Sequence, residues 1–133
     1  MKRIASGMVA AASALAMIVS VAAHAQDLPQ RKELRRADLS GAPGIEVVTS
    51  LTELKPGDEL PRHSHHGIET GIVVQGTMVQ PTGQAPMMLA TGSPIFNLRD
   101  VPHGGYKVVG PGNLILSTTH IVDKGKPLYE PSK

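Results

Sequence analysis

"GDELPRHSHHGIETGIVVQG", residues 57 to 76, decides how this chain is read. Three of its six histidines, His63, His65 and His66, fall within four positions, Glu69 follows, and an apolar run then stops at Gly76. Imidazole is a poor filler for a small β core and a good transition-metal ligand. On an extended strand residues i and i+2 face one side, roughly 6.5 to 7 Å apart. His63 and His65 therefore share a face, from which both rings can reach one ion at about 2.1 Å. His66 falls on the other face, toward solvent. Glu69 lies just past the turn at His66 and Gly67, where the chain can fold back and present a carboxylate to the same point.

Outward from this stretch the chain is a series of short β patterns. "IEVVTSLTEL" (45 to 54) is rich in β-branched residues and ends in the turn "KPGD". "TMVQ" from 77, "PMMLA" from 86, "PIFNL" from 94, "GYKVVG" to Gly110 and "LILSTTHIV" from 114 follow, separated by Gly, Pro and Asn turns. Such spacing, with no helical periodicity, predicts an all-β barrel or sandwich in one domain. The arm from Asp27 to Gly41 is the one stretch open to either conformation. Met78, Met87 and Met88 read as core gap-fillers.

At the other end of the chain, Lys2 and Arg3 precede an alanine-rich apolar run, and small residues stand at Ala23 and Ala25 before Gln26. That order is a secretory signal over residues 1–25, removed on export to the periplasm or beyond, and it predicts no stable membrane anchor. An arm over 26–44, a barrel over 45–122 and a tail over 123–133 complete the expected organisation. Two of the thirteen Lys and Arg leave with the leader, so eleven cations face eleven acids in the remainder. A neutral chain whose aromatics are Phe96, Tyr106 and Tyr129 has neither the charge nor the stacking platform for nucleic acid, and "RKELRR" (31 to 36) reads as a solvated patch. With no cysteine, stability has to come from a core, a metal or an oligomer.

A second histidine stands forty residues on in "NLRDVPHGGYKVVG": Pro102 presets the backbone entering His103, and Gly104 and Gly105 remove bulk beside it. At this point the residues resemble a known family. Gly57, His63, His65, Glu69 and Gly76 match the first motif of the cupins, G(x)5HxH(x)3-4E(x)6G, at every fixed position, and His103 matches the histidine of the second. The second motif's Pro-x-Gly is replaced here by Leu98-Arg99-Asp100, and its asparagine by Lys107. The resemblance runs over about Ile45 to Val122 and is greatest to small, single-domain exported cupins.

That resemblance implies a double-stranded β-helix, or jelly-roll, barrel. It also implies one divalent transition metal (Mn, Fe, Ni, Co, Cu or Zn) held by His63, His65, Glu69 and His103, and a homodimer. Glu69 would be a ligand at rest and a catalytic base in turnover. The expected activity is on a small oxygen-bearing molecule, oxygenase-like ahead of isomerase or hydrolase; the competing reading is a non-catalytic binding or metal-sequestering module. Around the site, His120 is expected at the surface or rim of the last strand. Glu59 or Asp100 is a candidate to bond the far nitrogen of a ligating imidazole. Arg62 and Arg99 flank the ligand segments as candidate carboxylate binders, and Tyr106 as a pocket wall.

Overall fold

The computed structural model describes residues 28–132, and all regular structure among them is β, as the turn spacing predicts. The secretory signal read over 1–25 lies outside the described residues. The strands are β1 (Arg31–Asp38), β2 (Ile45–Leu54), β3 (Glu59–Leu60), β4 (His63–Ser64), β5 (Gly67–Gln75), β6 (Thr77–Pro81), β7 (Met87–Leu89), β8 (Pro94–Asn97), β9 (Tyr106–Val108), β10 (Leu114–Asp123) and β11 (Glu130–Pro131). They form a five-stranded sheet β1-β2-β10-β5-β8, a four-stranded sheet β3-β9-β6-β7 and a ribbon β11-β4. Every pairing is antiparallel.

The stretch left open between conformations becomes β1, an edge strand along β2. Pairing with β2 outweighs the local preference of "RKELRRAD", whose side chains are mostly exposed. A register shift between Glu33 and Arg35, together with the charged side chains, blunts this edge against further pairing. Arg36 also reaches the buried carboxylate of Glu46, and Arg31 donates to Ser50 Oγ at 2.5 Å.

Between the sheets the interior is graded along the strands. In β2 and β10 alternate residues point inward, and the register places them in layers: Leu54 beside Leu114, Thr52 beside Leu116, Ser50 beside Thr118, Val48 beside His120. β5 adds Val73 to the second of these layers and Glu69 to the last. One end is therefore apolar, closed by Leu54, Leu60, Val73, Val79, Val108, Leu114 and Leu116. Each such side chain contributes about 1.5–3 kcal/mol by leaving water. Toward the other end the inward positions turn to hydroxyls, a carboxylate and imidazoles, so the apolar end supplies stability and leaves the polar end free for chemistry. Met87 and Met88 are 49% and 58% exposed. They are not the core fillers expected, because β7 is a short edge strand of the smaller sheet and of its residues only Leu89 packs against the core.

Two glycines bring β5 against β10. A Cβ at Gly67 would stand 2.1 Å from the Ile121 carbonyl oxygen, and one at Gly71 2.1 Å from that of Ser117. Only glycine allows this approach. Glu69 lies midway between the two and is thereby pressed against the β10 residue opposite it, His120.

Candidate metal centre

His63 on β4 and His103, forty residues later, are joined by an isolated antiparallel bridge. His63 N donates to His103 O at 2.9 Å, and His103 N to His63 O at 2.8 Å. The turn before His103 forms although the second motif's glycine is absent. Asp100 takes its place with φ 58° and donates its N–H to His65 O at 2.9 Å. Aspartate is among the few residues that adopt this left-handed backbone at modest cost. Gly104 follows His103 with φ +75°, and a Cβ there would lie 2.7 Å from Pro61 O and 3.2 Å from His63 Nδ1. We expect Gly104→Ala to displace the His63 ring and weaken metal binding by about tenfold, as losing an outer hydrogen bond does. Chelator competition measures this, and an unchanged affinity would show the ring to be held by other contacts.

Three rings are fixed in one tautomer by backbone carbonyls. The Nδ1–H of His63 donates to Pro61 O at 2.8 Å, that of His103 to Val101 O at 3.0 Å, and that of His65 to Leu128 O. Sequence reading offers Glu59 or Asp100 for this role. Asp100 instead bonds the half-buried His66, Nδ1 to Oδ1 at 2.9 Å, and Glu59 is exposed on the short strand β3. Carbonyls serve because strand ends next to the histidines leave these acceptors unpaired by any sheet.

With the Nδ1 protons committed, the Nε2 lone pairs of His65 and His103 face each other. His103 Nε2 and His65 Nε2 stand 3.1 Å apart, and Glu69 Oε2 lies 3.4 Å from His65 Nε2 and 3.2 Å from His103 Nε2. Donors about 2.1 Å from a shared ion stand about 3.0 Å apart at octahedral angles and about 3.4 Å at tetrahedral ones. The observed separations fall in that interval. Two bare nitrogen lone pairs this close repel unless a proton or a cation sits between them. The ligand atoms of His63, His65 and His103 all lie within 4.8 Å of one another, as do those of His65, Glu69 and His120. Of the four sequence-predicted residues, His65, His103 and Glu69 stand within 3.4 Å of one another and His63 lies beside the two histidines, a cluster that could hold a divalent ion.

Burial, with the neighbouring His103 and His65 charges adding to it, lowers the His63 pKa to about 4 against the opposing bond to Pro61, so this ring is neutral at physiological pH. Burial would lower His103 too, but its bonds to Glu69 and to the Val101 carbonyl prevail and raise it above its ordinary value. Burial would likewise raise the Glu69 carboxyl, yet the imidazoles of His103, His120 and His65 around it hold it far below the usual carboxylate range. A carboxylate so held is ionised and available as a ligand. A ligating imidazole must give up any proton on Nε2, and the raised pKa of His103 strengthens the proton as a competitor of the metal. Calorimetric titration with Zn2+ near pH 7 in buffers of different ionisation enthalpy should show net proton release, and apparent affinity should rise with pH. Heats independent of buffer would contradict this.

His120 departs most from the sequence reading. Expected at the surface or rim, it is 2% exposed, with Nε2 3.2 Å from Glu69 Oε1. The signal was present in the period-two phase of β10: Leu114, Leu116, Thr118, His120 and Val122 all point inward. Asn97 of β8, unmarked by any motif, donates Nδ2–H to Glu69 Oε2 at 2.7 Å. Tyr129 stacks on the His63 ring with centroids 4.3 Å apart, again with no local sequence signal. Arg99 faces outward in a two-bonded pair with Asp123, and Arg62 is exposed.

The cluster opens on a cavity of about 300 Å³ walled by Leu60, Leu89, Ile95, Phe96 and Leu116, with Arg31, Thr52 and Asn97 among its polar members. Tyr106 lines it as expected; burial, and then the Glu69 charge, raise its hydroxyl pKa, so it stays protonated.

Two antiparallel sheets enclosing a histidine cluster beside a small cavity are the architecture of a cupin, a double-stranded β-helix. A family model described as the ChrR Cupin-like domain matches residues 16–113, and the chain belongs to that family. Among solved structures it is similar to a conserved double-stranded β-helix protein from Klebsiella pneumoniae. The TM-score is 0.58 at 18% identity, covering 90% of this chain and 99% of that one. It is also similar to the polyketide cyclase RemF from Streptomyces resistomycificus, with TM-score 0.51 at 18% identity, covering 79% of this chain and 72% of that one. At these identities the likeness is one of fold. No curated protein matches the chain.

Proposed function

We propose that this protein is an exported cupin enzyme that holds one divalent transition metal through His63, His65, His103 and Glu69. Its substrate would be a small, largely apolar molecule carrying an oxygen donor. The observation that carries this is the meeting of the His65 and His103 Nε2 atoms with a Glu69 carboxylate oxygen, 3.1 to 3.4 Å apart, beside the His63 ring and at the wall of an apolar cavity. A divalent ion there supplies Lewis acidity and, if redox active, a route for dioxygen, which is why an oxygenase-like reaction leads this reading.

The chain's own residues do the rest. Leu60, Leu89, Ile95, Phe96 and Leu116 receive the hydrocarbon part of the substrate and exclude water. Its oxygen end is thereby directed toward the imidazoles. Glu69 stays ionised and contributes charge rather than a proton site. Two features favour an enzyme over a passive binding module: a histidine beside the cluster outside the expected ligand set, His120, and a guanidinium, Arg31, among the cavity-lining side chains. The leader-like residues 1–25 support export, and the exposed Ile72, Phe96 and Leu98 on and beside β5 and β8 support the homodimer, which light scattering would test.

The deciding experiment is elemental analysis of protein purified from its native host without chelator, followed by oxygen-uptake measurements with small enols and diols. About one ion per chain with uptake on at least one compound is expected. Metal without turnover of any kind would favour the binding module, and protein that neither carries nor takes up a divalent ion would end the proposal.

A further inference from the structure

Glu69 belongs to an inward row that crosses three strands: the register pairs it with His120 of β10 on one side and Asn97 of β8 on the other. Both neighbours address its carboxylate, but at different oxygens. His120 Nε2 stands 3.2 Å from Oε1, while Asn97 Nδ2–H donates to Oε2 at 2.7 Å. The His65 and His103 nitrogens lie on the Oε2 side, at 3.4 and 3.2 Å.

His120 also lacks the feature that the other three rings share. Their Nδ1 atoms are bonded to the carbonyls of Pro61, Leu128 and Val101, which leaves Nε2 bare toward the centre. His120 Nδ1 is buried with no partner. A neutral imidazole carries a single N–H, and opposite a carboxylate oxygen it lies on the facing nitrogen. His120 Nε2 is therefore a donor to Glu69, with no lone pair to offer an ion. His65, for its part, has one nitrogen to give, since Nδ1 is taken by Leu128. The two overlapping donor groups that share His65 consequently serve one ion, not two.

We propose that His120 and Asn97 are positioning residues that clamp the Glu69 carboxylate from both sides, fixing it as a ligand through Oε2 alone. This rests on the metal-binding reading above. Without the clamp, rotation about the terminal torsion of glutamate, which is broad and roughly two-fold, would let either oxygen or both face the histidines. The arrangement has a cost in stability, because a fully buried ring nitrogen goes unpaired to keep Nε2–H on the carboxylate. A ring present only for packing would gain nothing from that cost.

The test uses the full chain and Co2+ alone as probe, following affinity by chelator competition, the visible absorption of bound Co2+, and the melting temperature of the metal-free protein. His120→Gln keeps an amide N–H near the position of Nε2; His120→Phe fills the space without a donor; Asn97→Leu removes the second clamp. His120→Phe and Asn97→Leu should each weaken Co2+ binding by about 10–100-fold and alter its absorption. His120→Gln should restore most of the affinity. A merely structural role predicts a lower melting temperature of the metal-free His120→Phe variant with Co2+ binding intact, whereas the positioning role predicts weakened Co2+ binding whatever the melting temperature. Wild-type affinity and absorption in His120→Phe would overturn the proposal. So would His120→Gln binding as weakly as the phenylalanine variant, which would make His120 itself a ligand. Should His120→Phe not fold, unchanged binding in Asn97→Leu overturns the clamp by itself. A wild-type chain that binds no Co2+ would instead sink the metal-binding reading and the clamp with it.

Discussion

Replacing His63, His65 or His103 by alanine is expected to remove the metal while leaving a folded chain. On the proposed reading each of these side chains gives one of four donors, so its loss should weaken binding beyond the roughly 10–100-fold that loss of an outer hydrogen bond costs. The fold should survive because the apolar layers around Leu54, Val73 and Leu114 close the other end of the barrel and contain none of these histidines. The local cost of an unpaired Pro61 or Val101 carbonyl is about 1–3 kcal/mol. Binding to the folded state alone adds about 4 kcal/mol at a free metal concentration a thousand times Kd. Thermal melts with and without Zn2+ should therefore show a large upward shift in the wild type and almost none in the variants. A variant that keeps the full shift would remove its residue from the ligand set.

Deleting residues 127–133 is the second change expected to have a large effect, although no ligand lies in that segment. The C-terminal strand β11 pairs with β4 at Ser64 and His63, and Ser132 N donates to Arg62 O at 3.0 Å. Leu128 O accepts from His65 Nδ1, and Tyr129, 7% exposed, stacks on His63. Without the segment His65 is free to flip and change tautomer, and metal affinity should fall by about 10–100-fold. Loss of the buried Tyr129 ring should cost about 3–5 kcal/mol of stability, the range for large-to-alanine changes of aromatic core residues. Tyr129→Ala separates the two effects: it should lower the denaturation midpoint and keep most of the metal affinity, because the Leu128 carbonyl remains. A truncated protein with wild-type affinity would show that β4 orients both histidines unaided.

How far the site was legible depended on the range of each interaction. The ligand candidates were readable because strand geometry fixes His63 relative to His65 within three residues, and because Glu69 and Gly76 stand at the family's spacing. His120 was half legible: the alternation of β10 places it inward, yet a lone histidine in "STTHIVD" carries no mark of the carboxylate opposite. Asn97 and Tyr129 were illegible, since each acts across a strand pairing or a chain return that local pattern does not encode. Glu59 and Asp100 misled for the same reason: they are close in sequence to the histidines, and the partners of the ligating rings turned out to be backbone carbonyls, which every residue has.

By itself the sequence determined that the chain is all-β, that it is a cupin, and that His63, His65, Glu69 and His103 are the residues to watch, because periodicity and fixed spacing are properties of short segments. Only the tertiary structure decided that the His65, His103 and Glu69 donors stand 3.1 to 3.4 Å apart, that His120 and Asn97 address the carboxylate between them, and that the C-terminal segment bonds His65. The reason is physical: hydrogen-bond direction and donor separation are set by segments remote in sequence, such as His65 and Leu128, 63 residues apart, and they exist only once those segments have come together.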